Sequence, residues 1–220
     1  MSRGATLQDA RDAALLALAG VVEGPGLDPR TAALIGLGVC ASASTLDLDG
    51  AERFAQQALD AGASAAQLHE ALLLVSGLGV HSLMEGSRRI GDLLRARGDD
   101  LMTAPLDGVR ASLRAQYIGE DPYWDAMERE APGFLDALLR LSPEGFAAFF
   151  DYCAVPWKTG ALRAVTKELI SIAVDACPTH RYLPGLRLHL GNAIKLGAGR
   201  RAILETLEIA AAAPPHRGVA

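Results

Sequence analysis

The fold is decided by residues 166–201, TKELISIAVDACPTHRYLPGLRLHLGNAIKLGAGRR. The first part is apolar at helical spacing until Cys177-Pro178 breaks it, because a proline disfavours helix in the residue before it. Pro184 suits the first turn of a second helix, and Gly197 suits its end. Into this apolar setting are set Glu168, Asp175, Cys177, His180, Tyr182 and His189, with Lys167, Arg181, Arg187, Lys195, Arg200 and Arg201 around them. No other stretch gathers so many groups able to move protons or bind anions. A buried glutamate or histidine is costly unless it is paired or used, so this stretch is the candidate reaction or ligand site.

The stretch has a counterpart earlier in the chain. Residues 166–216 lie over residues 31–81 without a gap, at a constant offset of about 135. Thr31 matches Thr166, Leu34 matches Leu169, Val39 matches Val174, Gly50 matches Gly185, Gly62 matches Gly197 and Glu70 matches Glu205. The shared unit reads as three helices with the same stops. The copies differ where chemistry is concerned: Glu168 stands against Ala33, Cys177 against Ser42, His180 against Thr45, and His189 against Phe54. Phe54 is expected to face the core, so His189 is expected to point inward. Basic residues also accumulate in the second copy, which points to an anionic ligand.

The rest of the chain reads as helices joined by short breaks. Residues 1–5 are expected to be frayed. Helices are expected over about 7–20, from Asp28-Pro29 to about 43, from Asp47 or Asp49 to 62, from the capping box Ser64-Ala-Ala-Gln67 to about 77, and over 81–97. Shorter pieces follow over 107–117, 121–130 and 132–141, then a start at Ser142-Pro143-Glu144, a turn over 156–160, and a long helix over 162–176. No alternating strand pattern is present, so the expected class is all-α. The expected organisation is a first repeat unit over 1–98, a connecting helical segment over 99–160, and a second repeat unit over 161–220 that carries the site. Tyr123, Trp124, Phe146, Phe149, Phe150 and Trp157 are expected to pack the core of the connecting segment or to wall a pocket, helical spacing favouring the core.

Composition narrows the partners. The chain has 220 residues, half of them hydrophobic, with a formal net charge of −5. That affords a sizeable core and offers no global basic field for nucleic acid or an anionic membrane. Apolar runs are too short and too interrupted to span a bilayer. Cys40, Cys153 and Cys177 form no CxxC and no even set, so neither a disulfide framework nor a zinc knuckle is expected. A reduced, cytoplasmic protein follows as the expectation.

Three runs in the second copy, T-K-E-L-I-S-I-A-V-D-A, T-H-R-Y-x-P-G-L-R-x-H and A-x-K-x-G-A, resemble the carboxymuconolactone decarboxylase family, which includes the alkylhydroperoxidase D-like proteins. The resemblance implies an all-α helical bundle built from two three-helix units, and homo-oligomers in which a trimer of this chain would mimic the hexamer of single-unit members. The peroxidase branch uses a Glu, a CxxC and a His. Glu168 and His189 match its ends, but Cys177 stands alone, with no second thiol to resolve a sulfenate. The decarboxylase branch keeps the Glu and His without the thiol pair.

The leading expectation is therefore a cofactor-free lyase or isomerase acting on a small anionic carboxylated or lactone substrate. His189 would be its general base or acid and Glu168 would orient it; His180 or Tyr182 would supply a second proton or hold an oxyanion, and Arg181 or Arg187 would bind a carboxylate. Three other readings stand beside it: a peroxide reductase using Cys177 near His180, a metal site from Glu168, Cys177, His180 and His189, and a non-catalytic binding or assembly protein in which these residues serve structure alone.

Overall fold

In a computed structural model, residues 4–219 are described. Of the stretch expected to be frayed, residues 1–3 lie outside the described residues. Every regular element among the described residues is a helix, so the fold is all-α. In chain order the helices are α1 (Leu7–Ala17), α2 (Pro29–Ala41), α3 (Leu48–Asp60), α4 (Ala65–Leu78), α5 (His81–Ala96), α6 (Asp100–Thr103), α7 (Gly108–Tyr117), α8 (Pro122–Glu130), α9 (Phe134–Leu141), α10 (Pro143–Lys158), α11 (Ala164–Ala176), α12 (Leu183–Lys195) and α13 (Arg200–Ala211). None is long and apolar enough to cross a membrane.

The caps explain many of the starts. Asp28 accepts from the Thr31 N–H ahead of Pro29, and Ser64 and Gln67 complete a reciprocal box at α4. Several boundaries depart from the sequence reading by a few residues, and two of them have a visible cause. Helix α10 runs through Pro156 to Lys158 instead of stopping before it. Proline's fixed φ is itself helical, and the gap it leaves in the hydrogen-bond ladder falls in the last turn of the helix. Helix α11 begins at Ala164, because the Leu162 N–H is taken by the Glu70 carboxylate at 3.1 Å and Arg163 stays extended.

The chain divides into two compact units, one of residues 1–79 with 156–220, the other of residues 80–155. In the first, α2 and α11 are the central helices: residues 33–40 of α2 and 166–176 of α11 are buried. The two cross closely at Gly38, where an added Cβ would meet Ile170. Helices α2, α3 and α4 begin at residues 29, 48 and 65; α11, α12 and α13 begin at 164, 183 and 200, preserving the offset seen in the sequence. Finer details follow the same register. Leu46 and Arg181 are the non-glycine residues with positive φ (45° and 53°) among the described residues, and each precedes the second helix of its triplet. Gly62 and Gly197 (φ 84° and 90°) end those second helices in the left-handed region that glycine tolerates.

The two triplets are tied reciprocally. The Glu70 carboxylate of α4 accepts the Leu162 N–H just before α11. The Glu205 carboxylate of α13 accepts the Leu27 N–H just before α2, at 2.5 Å. Between the triplets, the loops after α2 and α11 meet through Thr45 Oγ1 and Thr179 Oγ1 (3.4 Å) and through Ser44 Oγ and Cys177 Sγ (3.8 Å).

The second unit has its own core, formed by Met84, Phe134, Leu135, Leu138, Leu139, Phe146 and Phe150. Tyr117 stacks on Phe150, and Trp124 meets Phe150 edge-on. These aromatics pack the core of this unit, whereas Tyr123 and Trp157, expected in the core as well, are exposed.

Candidate functional site

Two helices and the loop between them build the site. Glu168 and Asp175 lie seven residues apart on α11, two turns along one face. His189 and Asn192 lie one turn apart on α12. The Tyr182 N–H donates back to the Asp175 carbonyl at 2.9 Å, and Arg181 takes the left-handed turn between them. That turn returns α12 along α11 and sets His189 against its carboxylates.

His189 Nδ1 is 2.6 Å from Glu168 Oε2, and Asn192 donates to Glu168 Oε1 at 3.2 Å. Both members of the pair are buried, Glu168 at 4% and His189 at 8% exposure. The second ring nitrogen, Nε2, is 3.9 Å from Asp175 Oδ2. On the other side of Asp175, Oδ1 is 3.7 Å from Nε2 of His180, whose ring tilts against Tyr182 with centroids 6.2 Å apart. The imidazole is thus held at one nitrogen by Glu168 and faces Asp175 with the other.

Electrostatics sort these groups. Burial alone would lower the pKa of His189, but its hydrogen bond to Glu168 and the charges of Glu168 and Asp175 outweigh that and raise it. Burial pushes the Asp175 carboxyl up to about 7; His189 opposes this and Glu168 adds to it. Burial holds His180 below the ordinary histidine value. Two imidazoles shifted in opposite directions and a carboxyl raised to about 7 are thus gathered within a few ångströms.

The remaining sequence candidates fall in different places. Cys177 is fully buried at the end of α11, its thiol 3.3 Å from Thr179 Oγ1. Arg181 and Arg187 are exposed. Arg187 precedes His189 by two residues on α12, a spacing that puts it on another face of the helix. Lys167, counted with the anion-binding cluster in the sequence, is buried and paired with Glu70 at 2.6 Å, and it also donates to the Pro156 and Thr159 carbonyls. Arg201 is paired with Glu205 at 2.9 Å. Arg200 donates to the Leu18 carbonyl at 3.4 Å, so three of the cluster's cations serve the architecture. Sequence reasoning gave no role to Asp175 or Asn192, although their spacings from Glu168 and His189 place each on the face of its partner.

The metal set expected from the sequence, Glu168, Cys177, His180 and His189, does not come together as a cluster of ligand atoms among the described residues. Glu168 and His189 already satisfy one another, so a metal taking both through these atoms would have to break a short buried hydrogen bond.

This arrangement can be set against known proteins. Residues 143–214 match the model of the carboxymuconolactone decarboxylase family. A solved structure from Burkholderia xenovorans LB400, provisionally described as a gamma-carboxymuconolactone decarboxylase subunit, aligns with 94% of this chain and 84% of its own, at 32% identity and a TM-score of 0.71. The chain belongs to the carboxymuconolactone decarboxylase family. No curated protein matches the sequence. The family match takes in all of α11, α12 and α13, so Glu168, Asp175 and His189 lie within the carboxymuconolactone decarboxylase segment. The structural likeness extends well beyond it, over nearly the whole chain.

Proposed function

We propose that this member of the family is a cofactor-free acid–base lyase or isomerase acting on a small carboxylated or lactone substrate. The observation that carries the reading is the buried pair of Glu168 and His189 at 2.6 Å. A carboxylate on Nδ1 fixes the tautomer and orientation of the ring and leaves Nε2 as the working nitrogen. In a decarboxylation, the substrate's carboxylate leaves as CO₂ and its bonding electrons pass toward a conjugated carbonyl. The carbanion equivalent then takes a proton, which an imidazolium at His189 would supply. In an isomerisation, the same nitrogen first removes a proton and then returns it at another carbon. Asp175, carrying a proton near neutrality, would reload or relieve Nε2, and His180 beside it extends the relay toward the half-exposed loop. Arg181 and Arg187 are the proposed partners of the substrate's carboxylate, Arg181 being nearer in sequence to His180. The chain is further proposed to act as a homo-oligomer of two-unit subunits, with the two triplets arising by duplication.

The thiol-dependent peroxide reductase has less support. Cys177 is fully buried and its thiol meets hydroxyls of Thr179 and Ser44, whereas a reactive thiolate needs access and a nearby cation.

The test is CO₂ release from gamma-carboxymuconolactone by the purified chain and by the His189→Ala and Glu168→Gln variants. Loss of the acid–base nitrogen is expected to lower kcat by about 100-fold or more, and loss of the orienting carboxylate by less. Full activity in His189→Ala protein rules the mechanism out.

A further inference from the structure

The first triplet has no counterpart of the Glu168–His189 pair, yet it holds a cavity of about 470 Å³ in the corresponding place. Its lining includes Cys40, Asp47, Arg53 and Phe54. Cys40 and Phe54 occupy the positions of Asp175 and His189 in the shared register. Ile209 and Arg217, from α13 and the segment after it, close the other side. The Arg217 N–H donates to the Thr45 carbonyl at 2.9 Å, which pins that segment over the cavity.

Asp47 makes this more than a gap. It is 4% exposed, and its Oδ1 accepts no hydrogen bond; Arg217 Nε lies 3.4 Å away without the alignment for one. A buried carboxylate oxygen in that state calls for a donor. Gly50 lies against the Asp47 carboxylate just as Gly185 lies against that of Asp175, since an added Cβ at either glycine would collide with it. Both triplets thus keep a carboxylate against the equivalent glycine, supplied from different backbone positions. Around it, Arg53 sits over the Phe54 ring at 5.4 Å and Arg217 stands at the mouth with its side chain 58% exposed. The walls between are apolar, with Val39, Phe54 and Ile209.

We infer that this cavity is a second, non-catalytic ligand site for a small organic acid bearing a hydroxyl or ammonium group next to its carboxylate. The donor satisfies Asp47 Oδ1, the two guanidinium groups take the carboxylate, and the carbon skeleton lies on the apolar wall. Ala33 and Phe54 stand where the acid–base pair stands in the second triplet, so the ligand is held and not turned over. The pocket stands whether or not His189 is catalytic.

The experiment is a calorimetric titration of the full chain with L-malate, L-aspartate and succinate, the last lacking the donor. L-Malate or L-aspartate is expected to bind, and succinate to bind about tenfold more weakly. Arg53→Gln removes one guanidinium, and Ala212→Phe, at an exposed wall position, obstructs the mouth. Each is expected to weaken binding by about tenfold or more while leaving the thermal midpoint unchanged. His189→Ala protein is titrated in parallel and should bind as the parent does. Four results overturn the assignment: no binding of either donor-bearing acid at millimolar concentration, binding indifferent to both pocket variants, succinate binding as tightly as L-malate and L-aspartate, or binding lost in His189→Ala protein. The last would move the ligand to the other triplet and leave the acid–base proposal untouched.

Discussion

His189 is held between two carboxylates that act on it differently. Glu168 bonds it directly, whereas Asp175 stands 3.9 Å from its other nitrogen and keeps its own proton to about pH 7. This has a consequence for stability. An unfolded aspartate releases its proton near 3.8, so between that value and about 7 the folded chain binds more protons than the unfolded one. Stability therefore falls as pH rises across that window, by an amount on the order of a few kcal/mol. His189 acts in the same sense: its raised pKa favours the folded state fully below the ordinary histidine value and is lost as pH rises through the raised one. Asp175→Asn is expected to flatten the decline of the thermal midpoint between pH 5 and 8. An unchanged slope would remove Asp175 from this account. The Glu168–His189 pair was legible in the sequence because the first copy shows Ala33 and Phe54 in its place. Asp175 was legible only as a member of the stretch; its place against His189 was not, because nothing along the chain says that Gly185 on the neighbouring helix makes room for its carboxylate.

At the level of the helices, the buried ion pair of Lys167 and Glu70 joins α11 to α4, and the same carboxylate holds the N–H ahead of α11. Removing one partner strands a buried charge, so Glu70→Ala is expected to cost about 3–5 kcal/mol in urea unfolding. Glu205→Ala, whose partner Arg201 is largely exposed and screened by solvent, should cost much less. Equal losses would show that the two reciprocal ties are alike in strength. Gly185→Ala makes a sharper probe of the site: its methyl would displace the Asp175 carboxylate, and activity is expected to fall more than the thermal midpoint does. Starts marked by Asp28-Pro29 or Ser64 with Gln67 were readable because the cap and its partner lie within one turn. The start of α11 was not, because its deciding partner, Glu70, is 92 residues away. Lys167 likewise looked like part of an anion site until that partner was placed beside it.

Over the whole molecule, an all-α fold was evident from helical spacing without strand alternation, and the offset read along the chain recurs in the starts of the two sets of three helices. Grouping the helices into compact units needed contacts between residues far apart in sequence, such as those of α1 with α12. The ties from Glu70 to Leu162 and from Glu205 to Leu27 run in opposite directions between the triplets. A single proteolytic cut at residues 119–121, in the turn between α7 and α8, should therefore leave two fragments that migrate together in size exclusion under native conditions and part in urea. Separation without denaturant would mean that the ties are too weak to hold the triplets. Two such units on separate chains would meet at a rate set by how many molecules share the solution. On one chain they meet at an effective concentration fixed by the tether, so dilution cannot part them, and each is free to change its interior without first having to find a partner that has changed to match.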